Sequence, residues 1–383
     1  MARRTMKRAA ALTAALALTV ALAFAPARVL AAWAEPAPDF AWFSESYQAA
    51  ASACFLDDGR ILFLTQKTEN NAAVLAQIQC VDAAGTLLWA RDAPAGVGVR
   101  FARMRPIADG RYALIGKMGD GLWRMQVFDG QGTLFLDETL PPGARSPSLA
   151  SDGVLYATQP SDSDIPALWK RDWPGETRQI PIEPMRSLVL WDRALGPDDA
   201  LVPILYRNLD GERAMALLCL DGEGGVRWQF SPGPFAEWTL LAWTQNQSGG
   251  AAVFAQRRAE GKTQGYVFRL DDCGRVLWRD ELFFQGNFEG QLPTAQILSQ
   301  AENGDYRIWG NASAPGAPGG HAIFKLILDA DGGYVSSELK SARADCRRYL
   351  GEIYAVADSD GKPRLFRFDD LPSIEGTVAI DRQ

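Results

Sequence analysis

The sequence predicts an all-β fold: a β-propeller of about seven four-stranded blades, with six or eight as the alternatives. Three observations predict it. Six segments share an apolar strand ending in Asp, two variable residues, Gly and a second apolar strand. Successive Asp positions lie 43 to 58 residues apart, close to the roughly 40–50 residues of a propeller blade. A second Gly turn falls between these segments, so that each period holds two hairpins and four strands.

The six copies are Asp82-Ala83-Ala84-Gly85, Asp129-Gly130-Gln131-Gly132, Asp172-Trp173-Pro174-Gly175, Asp221-Gly222-Glu223-Gly224, Asp271-Asp272-Cys273-Gly274 and Asp329-Ala330-Asp331-Gly332. Asp caps a tight turn through its carboxylate, and Gly supplies the positive φ that a short hairpin needs. The longest interval contains the Pro/Gly-rich stretch 314–320, which reads as a loop insertion. Intervening turns at Asp57-Asp58-Gly59, Asp109-Gly110 and Asp152-Gly153 each join two further strands. Strand alternation is visible in Phe324, Leu326 and Leu328 against Ile323, Lys325 and Ile327. Blades are expected at about 47–93, 100–140, 144–183, 186–232, 236–284 and 291–341. A seventh starts near Asp345, with strands over 347–358 and 362–369. The segment 39–46, with Phe40, Trp42 and Phe43, is expected to close the last blade; Thr377 to Asp381 competes for that place.

The N-terminus has the parts of an export signal. Arg3, Arg4, Lys7 and Arg8 precede an apolar run from Ala9 to Ala25, and small residues follow, with a cut expected after Ala34. The run is short for a membrane span. The expected organisation is a signal peptide over 1–34 and a single propeller domain over 35–383, exported to the envelope or beyond from a bacterial cell. No Cys precedes Cys54, which argues against a lipoprotein. Removing the signal leaves 34 basic against 46 acidic residues, a net charge of −12, which disfavours nucleic acid and anionic membrane as whole-surface partners. A hydrophobic fraction of 47% excludes a disordered chain. A monomer without a membrane span is expected. The five cysteines lack C-x-x-C spacing and read as small hydrophobes, although Cys54 and Cys80 fall in one blade and are close enough in sequence to meet.

Trp89, Trp228 and Trp278 each stand seven positions beyond a repeat Asp. With the repeat, they make the chain resemble the bacterial PQQ-like, quinoprotein-dehydrogenase type of propeller over essentially its mature length. The resemblance implies that these tryptophans pack flat between neighbouring blades. Leu136, Gln179 and Ser336 replace them elsewhere, and the spacing is one residue shorter than the usual docking motif. The enzymatic branch uses a vicinal disulfide beside its quinone and calcium. This chain has no adjacent cysteine pair, so the fold is expected without the cofactor, and no cofactor or metal is assigned.

The chain contains a single histidine, His321, at the start of an expected strand, which argues against Ser-His-Asp, Cys-His and multi-His zinc chemistry. Carboxylate pairs remain open for a polysaccharide hydrolase or lyase. Asp329-Ala330-Asp331-Gly332 and Asp358-Ser359-Asp360-Gly361 resemble calcium loops but lack the later acidic ligand. The candidate ligand-binding residues are Arg100, Arg145, Arg186 and Arg343, each just before the first strand of a blade, with Trp238 and the nearby Tyr47. Such positions crowd one mouth of a propeller channel. Bidentate arginines there suit an anionic glycan or protein ligand. The expected function is a non-catalytic, extracytoplasmic binding or interaction scaffold, with a carbohydrate-active enzyme and a degenerate quinoprotein as alternatives.

Overall fold

A computed structural model describes residues 49–382 apart from 56–59, 70–71, 83–85, 93–102, 108–109, 151–152, 160–164, 174, 191–200, 222–224, 286–292, 314–320, 343–345, 351–352, 358–362 and 372. The described residues form seven antiparallel sheets. Blade 1 is β1 (Ala49–Phe55), β2 (Ile61–Glu69), β3 (Ala72–Val81) and β4 (Leu87–Asp92). Blade 2 is β5 (Arg103–Ile107), β6 (Arg111–Lys117), β7 (Trp123–Phe128) and β8 (Leu134–Thr139). Blade 3 is β9 (Ala144–Ala150), β10 (Gly153–Thr158), β11 (Ala167–Asp172) and β12 (Thr177–Ile180). Blade 4 is β13 (Ser187–Leu190), β14 (Leu201–Arg207), β15 (Arg213–Leu220) and β16 (Val226–Phe230). Blade 5 is β17 (Trp238–Gln245), β18 (Ala251–Ala259), β19 (Lys262–Leu270) and β20 (Val276–Gln285). Blade 6 is β21 (Thr294–Gln300), β22 (Tyr306–Ser313), β23 (His321–Leu328) and β24 (Tyr334–Ala342). Blade 7 is β25 (Cys346–Leu350), β26 (Ile353–Ala357) and β27 (Pro363–Arg367), and the chain ends in β28 (Thr377–Arg382).

The first strands of blades 1 to 4 and of blades 5 to 7 lie side by side, β17 of blade 5 meets β14 and β15 of blade 4, and β1 meets β26, so the seven sheets close into a ring. The apolar core is divided among the junctions between blades. Leu155, Ala157 and Leu168 of blade 3 meet Leu188, Ile204 and Ala216 of blade 4. Phe254 and Phe284 of blade 5 meet Tyr306 and Phe324 of blade 6, all of them closed to solvent. Each such aromatic contributes about 1.5–3 kcal/mol by leaving water, which is what holds neighbouring sheets face to face.

The repeat hairpin has a fixed internal geometry. In the second copy the Asp129 amide donates to the Thr133 carbonyl at 3.0 Å and Gly132 donates to the Asp129 carbonyl at 2.9 Å. The Asp129 carboxylate accepts from Gln131 and Thr133 amides. Asp271 and Asp329 repeat this pattern, and Gly132, Gly274 and Gly332 have φ of +78°, +77° and +82°. In five blades a β-bulge follows, one residue before the Trp position, at Leu88, Phe135, Arg227, Leu277 and Val335. A one-residue shift turns the next side chain to the other face of the sheet. That turn lays Trp228 on Gly274 and Trp278 on Gly332 of the following blade, where a Cβ would stand 3.0 and 2.8 Å from the rings. Trp89 meets Gly132 in the same way and donates to the Gly130 carbonyl at 3.2 Å. The interblade packing implied for these three tryptophans is therefore what the fold contains.

Blade 3 is the exception. β11 and β12 pair without a bulge, Gly175 lacks positive φ, and Gln179 stands where a Trp would dock. Gly153 likewise serves space rather than φ, since a Cβ there would come 2.1 Å from the Arg171 carbonyl.

Two expectations are corrected. Thr377 to Asp381 does not close blade 7: β28 pairs in register with β20, from Asp280↔Arg382 to Gln285↔Thr377, and gives blade 5 a fifth strand. The chain leaves β27 through a short 3-10 turn at Phe368–Asp370 and crosses blade 6. There Ile374 donates to the Leu339 carbonyl, Lys340 to Ser373 and the Val378 amide to Ser337. Buried Val378 enters the apolar junction of blades 5 and 6, and buried Phe368 lies under the Lys340 ammonium of blade 6, which favours this route. Second, the stretch 347–358 is two strands, β25 and β26, with the break at Gly351-Glu352. The segment 39–46 lies outside the described residues. Cys54 and Cys80 pair across Leu62 from opposite sides, about 10 Å apart at the usual strand spacing, so no disulfide joins them.

Candidate functional site

The innermost strands β1, β5, β9, β13, β17, β21 and β25 border the channel, and among the described residues the connections that enter them are those into β9, β13 and β17. Five of the innermost strands carry a β-bulge. The bulge in β9 sets Ser146 and Pro147 opposite Tyr156 alone, and Ser146 takes φ +43°. A non-glycine residue in this region is strained. The strain falls immediately beside Arg145.

Arg145 is exposed, and its guanidinium donates to Gln159 Oε1 at 3.2 Å. Gln159 is 5% exposed and donates through Nε2 to the Arg186 carbonyl at 2.9 Å. One buried amide thus orients an arginine of blade 3 and ties it to the strand entry of blade 4. Arg186 donates its own amide to the Arg207 carbonyl at 2.8 Å and projects its exposed guanidinium past Gly211. Neither Arg145 nor Arg186 has a carboxylate partner among the described residues. A neutral amide positions a guanidinium without cancelling its field, so the charge stays available.

Arg105, on the innermost strand of blade 2, donates to the Leu149 carbonyl of β9 at 2.9 Å, which adds a third arginine around that strand. Blade 5 differs. Arg257 is held by Glu237 through two contacts of 3.1 and 3.2 Å, so its charge is already answered. Trp238, expected at the mouth, is 6% exposed. Its ring packs 5.3 Å from Tyr266 and 5.7 Å from Phe268 and carries the Arg257 guanidinium at 5.7 Å. Arg100, Arg343 and Tyr47 lie outside the described residues. The structure therefore brings together Arg145 and Arg186 and turns Trp238 into the core.

Gln159 was the residue sequence reasoning missed. Its signal is parity, because it continues the buried face of Leu155 and Ala157 with a polar side chain at a position that should be apolar.

Elsewhere, Asp271, Asp272 and Cys273 hold ligand atoms within 4.8 Å of one another. The Asp271 carboxylate accepts the Cys273 and Arg275 amides, and Asp272 accepts from Arg227 at 3.1 Å. These groups are spent on the turn and on the contact with blade 4. The Asp329 carboxylate is spent likewise. Asp358 to Asp360 lie outside the described residues. His321 opens β23, paired with Ser313 and Ala342. No helix among the described residues is long and apolar enough to cross a membrane.

Seven antiparallel sheets around a channel define this chain as a β-propeller. No protein-family model and no curated protein matches the sequence. Among solved structures it is similar to the β-propeller domain of the Trilobed protease from Pyrococcus furiosus, at 12% identity over 85% of this chain and 98% of that one, with a TM-score of 0.45. It is also similar to BamB from Moraxella catarrhalis, at 13% identity over 84% and 100% of the two chains, TM-score 0.37, and to puromycin hydrolase, at 14% over 89% and 57%, TM-score 0.46. Likenesses this distant say nothing about ligand or chemistry.

Proposed function

We propose that the chain, once freed of residues 1–34, is a single exported propeller that acts as a non-catalytic binding scaffold, its ligand anionic and held at the channel mouth. The observation that carries this reading is the pair Arg145 and Arg186, both exposed and both without a carboxylate partner among the described residues. A surface of net charge −12 repels anions in general, so a local island of uncancelled guanidinium selects them by position. The repeat itself, with its turns and interblade tryptophans, is accounted for by backbone geometry and supports a PQQ-like architecture without the enzymatic site.

The test uses the purified mature chain immobilised on a biosensor, with polyglutamate, polygalacturonate and sulfated dextran as probes and neutral dextran as control. Binding to at least one polyanion that weakens severalfold between 50 and 300 mM salt is expected, because ion contacts are screened. Absence of binding to all three polyanions, or binding indifferent to salt, would refute the reading.

A further inference from the structure

Resting on that reading, we infer that the mouth at the junction of blades 3 and 4 is a two-point clamp for an acidic peptide segment of a protein partner. Arg145 and Arg186 are its anchoring residues and Gln159 its positioning residue.

Four observations converge on this junction. The bulge and the positive φ at Ser146 spend backbone energy where ordinary strand would be cheaper, and such strain collects where a side chain has to be aimed. The side chain aimed here is Arg145. Its partner is a buried neutral amide, whereas Arg124, Arg257 and Arg227 face the carboxylates of Asp137, Glu237 and Asp272. The same amide holds the backbone carbonyl of Arg186, so that one buried side chain joins the two arginine-bearing segments across a blade junction. Arg145 is thus held in place before a ligand arrives, which lowers the ordering cost of binding.

The class of partner follows from charge complementarity with the two arginines. Among the described residues the aromatic expected at a strand entry, Trp238 of blade 5, is buried against Tyr266 and Phe268 and offers no open face for a sugar ring. Carboxylates spaced along an extended peptide need only the two charged forks, each able to take a carboxylate bidentately.

The experiment measures binding of a fluorescein-labelled hexaglutamate peptide by anisotropy at 50 mM salt, with oligogalacturonate of equal charge as competitor. Arg145→Gln and Arg186→Gln are each expected to weaken peptide binding about tenfold or more, and Arg257→Gln, whose charge is already paired, to leave it unchanged. Gln159→Leu keeps both arginines but frees Arg145 to move, and is expected to weaken binding severalfold while leaving its salt dependence intact. Arg145→Lys and Arg186→Lys, which keep the charge and lose the fork, serve if either glutamine variant fails to fold, and are expected to bind less tightly than the native chain. Native affinity in both arginine variants overturns the clamp, as does a loss in Arg257→Gln equal to theirs. Tighter binding of oligogalacturonate than of peptide overturns the partner class while leaving an anion-binding propeller standing. Failure of every polyanion to bind overturns the underlying reading as well.

Discussion

The C-terminal strand is locked by its last residue, and Arg382→Ala tests what that lock is worth. The Arg382 side chain places Nε 3.3 Å from Asp280 Oδ1, lies 5.9 Å from the Trp278 ring centroid and donates to the Asp331 carbonyl at 2.5 Å. One side chain thus joins β28 to blade 5 and to the repeat hairpin of blade 6. Asp280 has no exposed surface, and burial pushes its carboxyl above the ordinary range despite the pull of Arg382, with Asp381 pushing the same way. Breaking a fully buried pair costs about 3–5 kcal/mol, whereas exposed pairs are worth about 0.2–1 kcal/mol. The guanidinium is 52% exposed, so screening brings the expected loss to about 1–2 kcal/mol at neutral pH. The pH dependence has a definite sign. A carboxyl raised on folding binds its proton more tightly in the folded chain, so its contribution to stability falls as pH rises from the unfolded value near 4 through the folded one. Removing Arg382 raises the folded value further, and the deficit of the variant should therefore be larger at pH 8 than at pH 4. In an Asp280→Asn background the same substitution should cost only about 0.5–1 kcal/mol, for the contact with the Trp278 face. Urea denaturation followed by tryptophan fluorescence measures all four chains. An equal deficit at both pH values, or one untouched by Asp280→Asn, would refute the reasoning.

Further outcomes follow from the repeat. Gly274→Ala and Gly332→Ala combine a positive φ with a ring 3.0 or 2.8 Å from the new Cβ, and each should cost about 2 kcal/mol or more. Gly110→Ala has a similar φ of +67° but open space and should cost only about 1 kcal/mol, a contrast readable in denaturation midpoints. Asp129→Ala should cost about 0.5–1 kcal/mol near neutral pH. Burial works to raise the Asp129 carboxyl, but the amides of Thr133 and Gln131 outweigh it and leave it low. Its stabilisation is therefore full above the unfolded value near 4 and lost as pH falls through the folded one, which a pH series of midpoints will show. With a thiol reagent, exposed Cys273 should label in the native protein. Buried Cys219, whose thiol is pushed up by burial, should label only on unfolding.

The blades were legible because their signals are local. Asp and Gly at fixed offsets specify a turn through atoms within five residues, and the alternation of Phe324, Leu326 and Leu328 specifies which face is buried. All three of those side chains are fully closed to solvent. What escaped was set by distance along the chain. β28 pairs with a strand about a hundred residues earlier, and nothing in Thr377 to Arg382 distinguishes that edge from the nearer edge of blade 7. The choice is made by contacts along the way, at Phe368, Lys340 with Ser373, and Val378, none of which has a sequence signature.

The site divides along the same line. Arg186 stands just before β13 as expected, whereas Arg145, expected ahead of the first strand of its blade, is the second residue of β9. Trp238 occupies the equivalent place and ends in the core, because the chain turns at Gly233, whose φ is +149° and whose missing Cβ leaves room for the indole. Position in the repeat therefore predicts which rim a side chain belongs to, while the local connection decides whether it faces outward. For the arginines that decision rests with Gln159, a polar residue on an apolar face. A buried amide that satisfies itself on an arginine and a backbone carbonyl costs little in stability, and it leaves Arg145 without a carboxylate partner among the described residues. Stability alone would be served as well by a carboxylate in its place, and the use of a neutral amide is the mark that separates Arg145 from the paired arginines of the other blades.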